Sequence, residues 1–133
     1  MGDNSVEVVK GVYAAFARGD VPGVLGAFTD EIEWYEAEGM PYGGLHRGGE
    51  AVAQNVFGPI TEDVEGFAVT PEEFMASGDS VAIVVRYTGT GKATGKPLDL
   101  TAVHVMDLEG DKIARFRQFI DTAKFAEVVP ASG

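Results

Sequence analysis

The chain has 133 residues, 45% hydrophobic and 23% charged, with no cysteine and a formal net charge of −11. That length suits a single domain, residues 1–133, with a core that needs no staples, and the missing cysteines exclude disulfides and thiolate chemistry. The acidic balance repels phosphate backbones and anionic lipid, so nucleic acid and membranes are not expected partners.

Ser5 opens a helical pattern in which Val6, Val9, Val12, Tyr13 and Phe16 form one apolar face. Gly19 supplies its stop, and Asp20 is placed to cap a second, short helix with Pro22 in its first turn. A first strand is expected around Ile32 to Glu36. The loop from Gly39 to Gly48 is too rich in glycine and proline to predict regular structure. A third helix is expected from Glu50 to Phe57, ended by Gly58-Pro59.

The period then changes to two. Phe67 to Ala76, Val81 to Gly89, Leu98 to Leu108 and Lys112 to Ile120 read as strands, separated by turn residues short enough for antiparallel pairing. Thr122 to Val129 reads as a short helical turn, and Pro130 to Gly133 as a frayed tail. Three N-terminal helices followed by strands predict an α+β architecture, helices packed on one face of a curved, mostly antiparallel sheet. No secretory leader and no membrane-spanning run is read in the chain, so a cytoplasmic location is the expectation.

The order AAFARGDVPGVLGAFTDEIEW, LHRGGEAV, HVMDLEGDKIARFRQFID resembles the NTF2-like superfamily, also called the cystatin-like cone, in its SnoaL-like and ketosteroid-isomerase-like branch. The resemblance runs from Val6 to Val129. It implies a conical apolar cavity between helices and sheet, a small apolar molecule as partner, no cofactor, and a homodimer through the convex sheet face. The implied wall consists of Trp34 and Glu36 from the first strand, Val85 and Tyr87 from the third, Thr101, Val103 and Val105 from the fourth, and Phe116, Gln118 and Ile120 from the fifth, with Phe57 from the third helix. Arg86, His104, Arg115 and Arg117 are thereby assigned to the opposite face. Fold alone does not choose among the activities this superfamily hosts.

In the steroid isomerases of that branch a carboxylate on the first strand moves a proton, and the corresponding residue here is Glu36. An apolar setting raises a carboxyl pKa, the direction a proton shuttle near neutral pH requires. The oxyanion-hole positions fall on Val12 and Val103, which cannot donate, so steroid isomerisation of the usual kind is not expected. Tyr13, one residue away, and Gln118 are the alternative groups to steady an oxygen. The epoxide-hydrolase pattern is broken: Thr88 stands where an acid would follow Arg86, and the last strand offers Gln118 with Asp121 beyond it. Asp121 is a candidate acid–base group by analogy with the cyclases, and equally a cap for the segment after it.

Tyr42, His46 and Arg47 form a possible rim over the cavity. Two histidines without helical or hairpin spacing make no metal site. GTGKATGK, residues 89–96, lacks the spacing of a phosphate loop. The expected protein is thus a cofactor-independent isomerase, cyclase or hydrolase acting on a small carbonyl compound, or a non-catalytic binder or association module on the same fold.

Overall fold

A computed structural model describes residues 2–130, with side chains described from residue 4 onward, so most of the expected frayed tail lies outside the described residues. Helix α1 (Gly2–Ala17) ends at Gly19, whose φ of 72° favours glycine, and Asp20 accepts from Gly23 N–H at 3.0 Å to cap α2 (Val21–Gly26). Strand β1 (Phe28–Glu36) follows, then β2 (Gly44–Arg47). Helix α3 (Gly49–Val52) runs through a wide π turn at Ala53–Phe57 into α4 (Gly58–Asp63). Strands β3 (Val64–Ser77), β4 (Ser80–Gly91), β5 (Pro97–Glu109) and β6 (Lys112–Ile120) complete the sheet, and α5 (Thr122–Val128) closes the described chain.

The architecture is α+β, as the element pattern predicts. The six strands lie in the order β2-β1-β6-β5-β4-β3, antiparallel except for β1 beside β6. Register shifts in β3–β4 and β5–β6 mark bulges, which bend the sheet. Helix α1 lies against β3 and β4, and α3 against β1 and β2. No helix among the described residues is long and apolar enough to cross a membrane.

Two local expectations are corrected. The glycine loop contains a strand: β2 pairs with β1 through Trp34↔His46 and Glu36↔Gly44. Glycine permits this because β1 and the preceding turn come very close. A Cβ on Gly43 would stand 2.6 Å from the Ala37 carbonyl oxygen. Gly58-Pro59 does not stop the third helix. Pro59 has no N–H and crowds the carbonyl four residues back, and the wide turn before it makes room, with Gly58 N–H bonding to Ala53 O. Thr61 Oγ1 then donates to the Phe57 carbonyl at 2.8 Å and the Gly58 carbonyl at 2.9 Å.

The main correction concerns β5. Thr101 is exposed and Val103 and Val105 are half-buried on the outer face, while Leu98, Leu100, Ala102, His104, Met106 and Leu108 are buried. Register confirms the parity: His104 pairs with Ile83 and Gln118, both inward. Thr101, Val103 and Val105 are therefore not wall residues, and His104 is not on the convex face. The clue was available in the acids. Asp99 and Asp107 share the parity of Val103, and burying unpaired carboxylates is costly.

Helix α5 is held by Phe125, fully buried, whose ring meets Tyr42 edge-on at 6.2 Å. Phe125→Ala is expected to cost about 3–5 kcal/mol in denaturant unfolding, by lost burial and the cavity left behind.

Candidate functional site

A cavity of about 50 Å³ lies between the helices and the inner sheet face. That is space for roughly three or four water molecules. Tyr13 and Phe16 of α1, Trp34 and Glu36 of β1, Val56 and Phe57 of the π turn, Phe67 of β3, Tyr87 of β4, His104 of β5 and Phe116 of β6 line it. Period-two alternation delivers each strand residue, and the helical spacing of Tyr13 and Phe16 delivers theirs. Trp34 stacks on Phe116, its partner in the parallel pair, with ring centroids 3.5 Å apart.

Glu36 is the one carboxylate at this wall, and it is only 3% exposed. Trp34 Nε1 donates to its Oε1 at 2.8 Å, a bond available because the two side chains share a face at i and i+2. Burial pushes the Glu36 carboxyl up to about 7, and the Trp34 indole N–H, with the Gln118 amide as a lesser influence, holds it below what burial alone would produce.

Beside it runs a file of polar groups. Gln118 Nε2 donates to the Tyr87 hydroxyl at 2.8 Å, and Tyr87 lies 2.7 Å from His104 Nε2. His104 Nδ1 lies 2.7 Å from the Tyr13 hydroxyl. Burial lowers His104 to about 3, so the ring is neutral, and raises the Tyr13 and Tyr87 phenols, which stay protonated.

The structure brings Tyr13, Trp34, Glu36, Phe57, Tyr87 and Phe116 to the cavity, and it sets Gln118 just behind, bonded to Tyr87 and to Ala37 N–H. His104 joins them, unforeseen from the sequence. Val85 is fully buried in the core outside the cavity wall, and Ile120 is half-buried beside an outer groove. Asp121 is exposed and accepts from Lys124 N–H at 2.9 Å, capping α5. Tyr42 and His46 do not reach the cavity. Tyr42 donates to Asp63 at 2.8 Å, and His46 Nε2 bonds the Tyr42 carbonyl at 2.8 Å, so they tie the β1–β2 connection to α4.

Because the folded Glu36 carboxyl titrates near 7, above its ordinary 4.5, the folded state holds this proton more tightly than the unfolded chain. The contribution to stability is fully present below the ordinary value and is lost as pH rises through 7. Glu36→Gln is therefore expected to gain on the order of 3 kcal/mol relative to the parent between about pH 4 and about pH 8. Parallel denaturant melts at the two pH values check it. Equal differences at both would mean that the carboxylate is not desolvated.

A family profile described as the SnoaL-like domain matches residues 9–116. An uncharacterized protein of Mycobacterium tuberculosis is 27% identical over 118 residues, 88% of each chain. An NTF2-like protein from Burkholderia thailandensis superposes with a TM-score of 0.90 at 32% identity, over 94% of this chain and 96% of that one. TerC, co-crystallized with polyporic acid, superposes at 0.87 with 26% identity, over 95% and 98%.

Proposed function

We propose a function for a chain that belongs to the SnoaL-like domain family of NTF2-like proteins: a cofactor-independent enzyme that moves a proton on a small, largely apolar carbonyl compound. One observation carries the reading. Glu36 is a single buried carboxyl, pushed up to about 7, projecting into an aromatic cavity. A base with that value is half-ionised near neutral pH and strong enough to take a proton next to a carbonyl. A ligand that fills the aromatic cavity displaces its few waters, so the ionised base and any developing enolate meet fixed dipoles rather than solvent. The relative crystallised with polyporic acid supports an aromatic, oxygen-bearing occupant. An occupant larger than a few waters requires the wall to part, and the π turn at Ala53–Phe57 is the irregular segment of that wall.

Cyclohexanone in deuterated buffer is the test. The protein is expected to catalyse exchange of the protons next to the carbonyl, with a rate that rises with pH through about 7 and then levels. Glu36→Gln is expected to lower it roughly 10²- to 10⁴-fold. Binding without exchange would favour the second reading, a small-ligand binder.

The same proposal has a second copy of the chain cover the outer sheet face, where Phe119 is 53% and Tyr35 40% exposed. Light scattering after gel filtration is expected to give twice the 14.0 kDa chain mass, and Phe119→Glu to shift it toward the single-chain value.

A further inference from the structure

The polar file along the cavity has a direction that follows from which atoms can donate. Ala37 N–H lies 3.0 Å from Gln118 Oε1. A backbone amide only donates, so the carboxamide is held with its Nε2 turned away from Ala37. That Nε2 meets the Tyr87 oxygen at 2.8 Å, and it too only donates, so Tyr87 accepts. Tyr87 O–H then donates to its other neighbour, His104 Nε2, at 2.7 Å. An Nε2 that accepts is bare, so in a neutral ring the proton sits on Nδ1. Nδ1 is 2.7 Å from the Tyr13 oxygen, and the two ring planes lie within 7° of parallel, so Nδ1–H donates to the phenol.

Tyr13 thus accepts, and its own proton is left over. Among the described residues, His104 is the one hydrogen-bond partner of the Tyr13 hydroxyl. The opposite order would make Tyr87 accept twice and donate to no described group. In the order from Gln118 to Tyr13, Gln118, Tyr87 and His104 each accept and donate, so the bonds polarise one another, and the spare O–H falls on Tyr13.

We propose that His104, as its Nδ1–H tautomer, is a positioning residue that leaves the Tyr13 O–H free to donate into the cavity, so that the site selects ligands carrying a hydrogen-bond-accepting oxygen between Tyr13 and Glu36. The matching ligand class is a ketone, enone or quinone, with its oxygen on Tyr13 and its acidic carbon toward Glu36. No proton leaves the tyrosine: its O–H bond persists and stabilises the oxygen as negative charge develops there. Val12 and Val103 therefore need no polar replacement, because the donor arrives from the adjacent helix residue through a strand residue of the other parity. The proposal rests on the carbonyl reading above.

Two measurements test it. Nitrogen-15 NMR of the histidine-labelled, ligand-free protein near neutral pH is expected to show His104 protonated at Nδ1 and bare at Nε2. The Nε2–H tautomer, or a doubly protonated ring, overturns the proposal whatever the protein does to ketones. Infrared spectra of carbonyl-labelled cyclohexanone are expected to show the bound C=O stretch lowered in the parent and returned to its free-ketone position in Tyr13→Phe. His104→Leu is expected to weaken the shift. His104→Gln, which can accept from Tyr87 and donate to Tyr13 in the same order, is expected to restore it. For exchange, Tyr13→Phe is expected to lower kcat roughly 10²- to 10³-fold with KM little changed. Catalysed exchange with the same C=O position in the parent and in Tyr13→Phe overturns this proposal alone. Cyclohexanone that enters neither protein overturns it together with the reading beneath it.

Discussion

Confinement of a carboxyl group in a small, mostly apolar space is the constraint around which the molecule is organised. Glu36 ends β1 on its inner face with only 3% of its surface exposed, and its ionised form has few partners. Water would stabilise that charge cheaply, and the fold leaves room for only a few molecules beside it. What remains is the Trp34 indole on the same strand face and the Gln118 amide two strand residues beyond Phe116. These donors moderate the cost without removing it, so the group is poised near neutrality. A fully solvated carboxylate would be too weak a base for proton abstraction, and a fully unpartnered one would stay protonated.

The surroundings follow from that requirement. Trp34 has to hold its indole N–H on Glu36, and it is kept there by stacking on Phe116 and by edge contact with Phe57, centroids 5.3 Å apart. Gln118 has to hold its amide in one orientation, and the Ala37 N–H does so. His104 has to stay neutral between two phenols, and burial in an apolar sheet face keeps it so. Each polar group inside the wall is therefore positioned by another, which is the condition under which a buried network adds order rather than strain.

Access is shaped by the opposite choice. The β1–β2 connection, glycine-rich and open to reading as a mobile rim, is fastened by Tyr42 on Asp63 and by His46 on the Tyr42 carbonyl. The wall that departs from regular geometry is instead the helix over the cavity, where the π turn carries Val56 and Phe57. A wide turn inside a helix sets side chains at angles an α-helix cannot, and here it aims Phe57 at Trp34 while it accommodates Pro59.

Much of this was legible in the chain itself, because the signals are local. Helix caps at Gly19 and Asp20, alternation along β4 and β6, and turn residues between strands depend on near neighbours, and the elements they mark came out within a few residues of their expected places. Trp34, Glu36, Tyr87, Phe116 and Tyr13 could be nominated from the alternation, the helical face and the resemblance. The inward face of β5 could not be assigned with the same ease, because Val103 and Val105 are as apolar as the true wall, and the two acids that mark the outer face lie toward its ends. Only the hydrogen-bonded register, which sets His104 beside Gln118 and Ile83, decides which residues meet. The Tyr13–His104 contact joins groups 91 residues apart, and no local pattern encodes such a pairing. Composition and periodicity settled which elements form; long-range strand pairing settled which of their side chains share the buried space.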